Sequence, residues 1–209
     1  MKKLGLISDP HAYPEPLAEA LSIFKKEQVD AIWCTGDIAG YGDGLEETIS
    51  LLQQSGCQSV FGNHEVNYFK KSPDETTTDI YSYLNNLPRV MQQNIEGKGV
   101  FMVHASPPDS LMEGIRLLDQ QGHIIESEKQ EWASRLNDFE FEVLIVGHTH
   151  QVFAEKLGAT LVVNPGSSQF NHSCAVLSFP DLKIQWFALS GKTIKKSWNW
   201  GMEVAANKQ

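Results

Sequence analysis

The 209-residue sequence has no apolar run of membrane-spanning length, and its basic residues form no cluster larger than pairs such as Lys25-Lys26 and Lys70-Lys71. A membrane span needs roughly 18 apolar residues, and general nucleic-acid binding needs a surface with concentrated positive charge. The net charge is instead −9, from 26 acidic and 17 basic residues. We therefore expect neither a membrane protein nor a general nucleic-acid-binding protein.

Cysteine is also scarce. Cys34, Cys57 and Cys174 are odd in number, widely spaced and without a CxxC pair, so neither a disulfide framework nor a thiolate metal site is indicated. The apolar stretch in MKKLGLISDPH is too short for a signal-peptide core. We expect buried, reduced thiols in a cytoplasmic protein.

The length and composition are those of a globular protein. Hydrophobic residues make up 41% of the sequence and charged residues 21%, which argues against disorder. We expect a single domain over residues 1–209, since large α/β domains reach this size. Residues 190–209 are predicted to form a C-terminal tail that packs on this domain through Trp198 and Trp200.

The first third of the chain alternates between strand and helix patterns. Apolar segments at 3–8, 30–34 and 58–61 predict strands, and residues 15–28 and 45–55 have the apolar spacing of helices. This βαβαβ order predicts parallel strand pairing.

The rest of the chain is richer in strands. A strand is predicted at 99–105, and helices within 72–88 and 127–138. Five short strand candidates follow: EVLIVGH, QVFAEKL, TLVVNPG, SCAVLSF and KIQWFAL. The α/β half and the strand-rich half together predict two stacked sheets with helices outside.

Polar residues that commonly bind metals follow five predicted strands, in the segments ISDPH, WCTGDIAG, VFGNHE, FMVHAS and VGHTH. They are Asp9, His11, Asp37, Asn63, His104, His148 and His150. Ligands of open α/β sheets bind beyond such strand ends, and an extended backbone would turn residues two apart to the same side. Each residue alone could be a turn former, a cap or a core histidine, but their coincidence favours a metal site.

The same segments resemble the motifs of the calcineurin-like metallophosphoesterases, in the family's order. The matches are D-x-H from Asp9, G-D-x-x-G from Gly36, G-N-H-[DE] from Gly62, a single histidine at His104, and G-H-x-H from Gly147. The resemblance is to the small bacterial and archaeal phosphodiesterase-like branch. It implies an α/β fold, a four-layer α/β/β/α sandwich of two mixed β-sheets flanked by helices.

The resemblance also implies two divalent metal ions that share Asp37 as a ligand: Asp9, His11, Asp37 and His150 for one, and Asp37, Asn63, His104 and His148 for the other. Imidazole and oxygen ligands suit Mn, Fe, Zn, Ni or Co. Water between the ions would become the hydroxide that attacks phosphorus in line. The bridging Asp37 and the general acid His64 would be the catalytic residues. In an extended segment Asn63 and His64 point to opposite sides, so one would bind while the other acts.

One motif departs from the protein Ser/Thr phosphatases of the superfamily. They carry GDxxDRG, whereas this chain has GDIAGYG, with Gly40 and Tyr41 in place of the Asp and Arg. Loss of that Arg favours phosphodiesters over phosphomonoesters. The alternatives are a protein or nucleotide phosphomonoesterase and, less favoured because the ligand set is complete, a non-catalytic scaffold such as the retromer subunit of this family. The sequence leaves open what supports His64.

Two irregular stretches, 66–90 and 105–126, flank the expected site and are predicted to shape the substrate cleft, with Tyr41, Asn67 and Ser106 as lining residues. The expected partner is a small phosphate ester, and a homo-oligomer is compatible with the sequence.

Overall fold

A computed structural model describes residues 1–73 and 76–199. In chain order the strands are β1 (Lys2–Ile7), β2 (Ala31–Cys34), β3 (Gln58–Ser59), β4 (Val90–Ile95), β5 (Lys98–Val103), β6 (Val143–Ile145), β7 (Val152–Leu157), β8 (Thr160–Pro165), β9 (Ser173–Phe179) and β10 (Lys183–Ala188). The helices are α1 (Pro14–Glu27), α2 (Leu45–Gln54), α3 (Asn63–Lys71), α4 (Asp79–Asn85) and α5 (Glu126–Arg135).

The strands in this part of the chain form two five-stranded sheets. The first has the order β10-β9-β1-β2-β3 and the second β4-β5-β6-β8-β7. β1, β2 and β3 pair in parallel, as the βαβαβ pattern predicts, whereas β9 and β10 pair antiparallel. In the second sheet β5, β6 and β8 are parallel, and the edge strands β4 and β7 are antiparallel. Both sheets are therefore mixed, which confirms the prediction.

Alternation along β1 shows how the layers stack. Leu4 and Leu6 pack with Ile145 of the second sheet in the core between the sheets. Ile7 instead packs with Phe24 of α1 on the outer face of the first sheet. Burying a side chain the size of Phe24 stabilises the fold by about 1.5–3 kcal/mol.

Helices cover both outer faces. α1 and α2 cover the first sheet, where Leu17 and Leu52 are buried, and α5 covers the second sheet through Trp132 and Leu136. The molecule is thus a four-layer α/β/β/α sandwich, as predicted.

Two elements differ from the sequence predictions. β3 ends at Ser59, and Asn63 and His64 open helix α3, so the expectation that they lie on an extended segment is wrong. β4 (Val90–Ile95) was not predicted as a strand; it begins where the stretch 66–90 ends, and its apolar pattern is weak because it is an edge strand with exposed glutamines. Helix α4 begins after Thr78, whose hydroxyl accepts the N–H of Tyr81 at 3.1 Å.

All three cysteines are free, but only Cys34 and Cys174 are buried, whereas Cys57 is half-buried. Within residues 1–73 and 76–199, no helix has both the length and the apolar character of a membrane span.

Candidate active site

Residues that follow five strands converge at one edge of the sandwich. From the first sheet come Asp9 and His11 after β1, Asp37 after β2 and Asn63 after β3. From the second sheet come His104, directly after β5, and the pair His148 and His150 after β6. The site therefore straddles the two sheets.

One group of potential ligands consists of Asp9, His11 and His150, all buried. Nε2 of His11 lies 2.9 Å from Nε2 of His150. The Oδ1 atom of Asp9 lies 3.4 Å from Nε2 of His150 and 4.0 Å from Nε2 of His11. Two ring nitrogens and a carboxylate oxygen thus face a common point.

A second group is built around Asp37, His104 and His148. Nε2 of His104 lies 3.3 Å from Oδ1 of Asp37 and 2.9 Å from Oδ1 of Asn63. The same Asn63 oxygen lies 2.8 Å from Nδ1 of His148. The structure therefore brings all seven predicted ligands together in two adjoining groups.

The backbone that presents these residues is not extended. Five of the seven have left-handed φ values: Asp9 (47°), His11 (51°), Asp37 (52°), His148 (63°) and His150 (48°). The expectation that alternation along a strand orients the pairs is therefore wrong, because tight turns past the strand ends do so. Non-glycine residues in this region cost of order 1–3 kcal/mol each and cluster at functional sites.

Motif glycines allow the segments that carry the site to approach one another closely. A Cβ at Gly147 would overlap the hydroxyls of Ser8 and Thr35 and would lie 2.7 Å from Oδ2 of Asp9. A Cβ at Gly62 would overlap Asp37. Only glycine permits this close packing.

Hydrogen bonds fix the orientation of the ligand rings. His104 uses Nδ1 to bond the carbonyl oxygen of Thr35 at 2.7 Å, which turns Nε2 towards Asp37. His148 uses Nε2 to bond the carbonyl oxygen of Met112 at 2.9 Å, which turns Nδ1 towards Asn63.

Two opposing effects act on the pKa of these histidines. Burial lowers the pKa of His11 to about 3. Burial also acts against the charged form of His104, but the charge and hydrogen bond of Asp37 outweigh it and raise the pKa of His104 to about 9.

Glu65 is a fully buried carboxylate at the start of α3. It accepts the backbone N–H groups of Asp37 at 3.1 Å, Ala39 at 2.9 Å and Gly62 at 2.7 Å. Burial raises the pKa of Glu65 to about 7. This carboxylate ties the turn after β2 to the start of α3.

His64 stands at the mouth of the site, with its side chain 16% exposed and Nε2 4.0 Å from Oδ2 of Asp37. Its ring centroid lies 4.5 Å from that of His11 and 4.7 Å from that of Tyr41. Burial lowers the pKa of His64. The ring is thus held by aromatic neighbours and faces the Asp37 carboxylate.

Two cavities meet at Tyr41 and His64, which line both. The inner lobe, about 230 Å³, is lined by four of the potential ligands, Asp37, Asn63, His148 and His150, together with Arg116 and Trp198. The outer lobe, about 480 Å³, lies beyond His64 and is lined by residues that include Leu45, Asn67, Tyr68 and Lys71.

Of the three residues predicted to line the cleft, Tyr41 and Asn67 border the outer lobe. Ser106 does not face the cleft: it is 1% exposed, and its hydroxyl donates to the carbonyl oxygen of Glu113 at 2.5 Å. Ser106 therefore braces the loop instead of contacting a ligand.

Sequence reasoning missed Arg116. It lies in the irregular stretch 105–126, outside every motif, and only its charge could have drawn attention to it. Trp198 is buried and stacks on Phe170 at a centroid distance of 4.1 Å, and its ring lies 5.1 Å from that of His150. The expected anchor Trp200 lies outside the described residues.

Known proteins resemble this chain in sequence and in structure. The alignment with an uncharacterized protein of Methanocaldococcus jannaschii shows 32% identity over 120 residues, and it covers 50% of this chain and 49% of that protein. A hypothetical protein of Pyrococcus horikoshii has a similar structure, with a TM-score of 0.70 at 17% identity, over 100% of this chain and 93% of that one.

A second solved structure, described as a novel archaeal phosphodiesterase, has a TM-score of 0.58 at 19% identity, over 90% of this chain and 99% of the other. At such identities these two structures support the fold alone. Residues 1–179 match the family model of the calcineurin-like phosphoesterase superfamily domain. Because that match spans most of the sequence and contains all seven converging residues, the chain belongs to the calcineurin-like phosphoesterase superfamily.

Proposed function

We propose that the protein is a metal-dependent phosphodiesterase that uses His64 as its general acid. The observation that carries this proposal is the meeting of two groups of buried and half-buried metal-ligand atoms beside a partly exposed histidine. In each group named ligand atoms lie within 4.8 Å of one another. A purely structural cluster would not need this density of imidazoles, nor left-handed backbone at five positions.

The donor atoms fit two divalent cations. Asp9, His11 and His150 would hold one, and Asn63, His104 and His148 the other, with Asp37 shared between them. Nitrogen and oxygen donors without thiolate suit Mn, Fe, Zn, Ni or Co. Such ions, when bound, would activate water and stabilise charge on the phosphoryl oxygens.

The chain's own residues would supply the remaining chemistry. His64 borders the inner lobe, where the phosphate would lie, and also the outer lobe. It is therefore placed to give a proton to the leaving oxygen, an effect typically worth 10²–10⁴-fold. Arg116, on the wall of the inner lobe, would bind a phosphoryl oxygen.

A structural detail favours diesters over monoesters. A Cβ at Gly40 would lie 2.8 Å from Cα and Cβ of His11, so the Asp of GDxxDRG does not fit here unless His11 moves. With Tyr41 at the Arg position, Arg116 is the one guanidinium lining the inner lobe among the described residues. One such cation suits the single negative charge of a diester better than the two charges of a monoester.

Metal analysis and a substrate comparison test the proposal. We expect about two transition-metal ions per chain by elemental analysis, and a higher kcat/KM for bis(4-nitrophenyl) phosphate than for 4-nitrophenyl phosphate with added Mn²⁺. Asp37→Asn should lose metal and activity, whereas the exposed control Asp181→Asn should retain both. A preference for the monoester would favour a phosphomonoesterase. Metal binding without hydrolysis of a broad range of phosphate esters would favour a scaffold.

A further inference from the structure

One face of α3 forms a wall of the outer lobe. His64, Asn67, Tyr68 and Lys71 all line this cavity, and their spacing of i, i+3, i+4 and i+7 places them on a single stripe of the helix. A neighbouring side of the helix is turned inwards, where Glu65 is buried. The orientation of α3 therefore places four polar or aromatic side chains on the wall of the cavity.

The stripe has a direction. His64 stands where the two lobes meet, and Lys71 lies seven residues further along the same helix. At 1.5 Å per residue their Cα atoms are separated by about 10 Å along the helix axis. A group that left from the phosphate beside His64 would extend along this face towards Lys71.

The charge of the cavity wall differs from that of the whole chain. The chain carries a net charge of −9, yet among the described residues the outer lobe is lined by Lys71 and by no carboxylate. Lys71 also makes no ion pair with any residue in the described part of the chain. An anionic group can therefore approach Lys71 without displacing a described acidic partner.

The volume of the outer lobe, about 480 Å³, falls in the range of small-molecule sites. A small alkyl leaving group would fill little of this volume. Its lining of amide, phenol, hydroxyl and ammonium groups suits a polar occupant.

We propose that the outer lobe binds the leaving group of the phosphodiester and that Lys71 favours leaving groups carrying a second negative charge, such as carboxylated or phosphorylated alcohols. The proposal rests on the proposed function, because it requires the phosphate to lie in the inner lobe. Lys71 is a specificity-determining residue on this account, since it contacts the substrate away from the bond that breaks.

Two matched substrates test this inference: methyl 4-nitrophenyl phosphate and methyl 3-carboxy-4-nitrophenyl phosphate. Hydrolysis of either breaks the bond between phosphorus and the aryl oxygen, with water as co-reactant, and releases methyl phosphate and the coloured phenolate. The measured quantity is the ratio of kcat/KM for the carboxylated substrate to that for the uncharged one, in metal-loaded protein.

We expect Lys71→Gln to lower this ratio by about two- to fivefold, the range for a solvent-exposed ion pair. Lys71→Arg should preserve the ratio because it keeps the charge. Lys70→Gln is the matched control. It removes the same charge from the neighbouring residue Lys70, which does not line the lobe. Added salt should lower the ratio in the wild type but not in Lys71→Gln.

The possible results are distinguishable. An equal ratio in wild type and Lys71→Gln, with both substrates hydrolysed, would overturn the role of Lys71 and leave the proposed function standing. A fall of the same size in Lys70→Gln would also overturn it, because a general surface charge would then be responsible. Failure of the metal-loaded wild type to hydrolyse either substrate would overturn the proposed function and this inference with it.

Discussion

The carboxylate of Glu65 accepts the backbone N–H of Asp37, with Oε2 3.1 Å from the nitrogen. Two further backbone N–H groups, of Ala39 and Gly62, donate to the same side chain. A single buried carboxylate thus sets the spacing between the turn that carries Asp37 and the helix start that carries Asn63 and His64. This gives a physical reason for an acidic residue directly after GNH.

Replacing Glu65 with glutamine should therefore destabilise the fold. The amide NH₂ would face backbone donors and leave at least one of them unpaired in a buried position. We expect the free energy of unfolding to fall by about 1–3 kcal/mol, measured by urea denaturation. Glu131→Gln, on the exposed face of α5, is the control and should change it by less than about 0.5 kcal/mol. A similarly small change in Glu65→Gln would show that the three bonds do not stabilise the fold.

His64→Ala should slow hydrolysis in a way that depends on the leaving group. An alkyl diester, whose leaving oxygen needs a proton, should lose about 10²–10⁴-fold in kcat, whereas a 4-nitrophenyl diester should lose much less. Metal content should not change, because the ligand groups are intact. His123→Ala, whose side chain is 78% exposed, is the control. Equal losses on both esters would contradict the role as general acid.

Arg116→Gln should weaken phosphate binding. Since Arg116 lines the inner lobe together with Asp37, His148 and His150, we expect KM for a diester and the inhibition constant of inorganic phosphate to rise together, by about tenfold. Arg116→Lys should give constants between those of the wild type and those of Arg116→Gln, because lysine keeps the positive charge but lacks the planar guanidinium group. Lys98→Gln removes a charge on β5 far from this wall and serves as the control. Unchanged phosphate inhibition in Arg116→Gln would rule out the contact.

The thiols should react slowly in the folded protein. Burial raises the pKa of Cys174 and of Cys57 to about 12, so at pH 8 roughly one thiol in ten thousand is ionised. Alkylation of the native protein should therefore be far slower than alkylation after unfolding in urea, and a step from pH 8 to pH 9 should increase the native rate about tenfold. The check is a time course of iodoacetamide labelling by mass spectrometry. A native cysteine that reacts as fast as the unfolded chain would contradict these pKa values.

The sequence predicted the parts of the fold that depend on burial. β1, β2, β5, β6, β8 and β9 are short apolar runs because they lie in the interior of the two stacked sheets, and burial there leaves a clear apolar pattern. Helix α3 was missed because Glu65 is its single fully buried residue, so its apolar periodicity is weak. β4 was missed because an edge strand needs few apolar residues.

The identities of the clustered residues could also be predicted from the sequence, but their backbone geometry could not. Short motifs contain Asp9, His11 and His150, and these residue types indicate metal binding. Their left-handed φ values, however, depend on packing against segments distant in the sequence. Arg116 and Lys71 belong to no motif. The roles proposed for them depend on the positions of a loop and a helix face beside the two lobes, and these positions are set by the tertiary structure.

The pairing of Asp9 with His150 has a consequence for biosynthesis. The two residues are 141 positions apart in the sequence, and they follow strands of different sheets. A growing polypeptide cannot form this contact until the segment around residue 150 has emerged from the ribosome, long after β1 and α1 have emerged. Any cation captured at the completed cleft would thus arrive late in synthesis, and a prematurely truncated chain would lack the means to retain it.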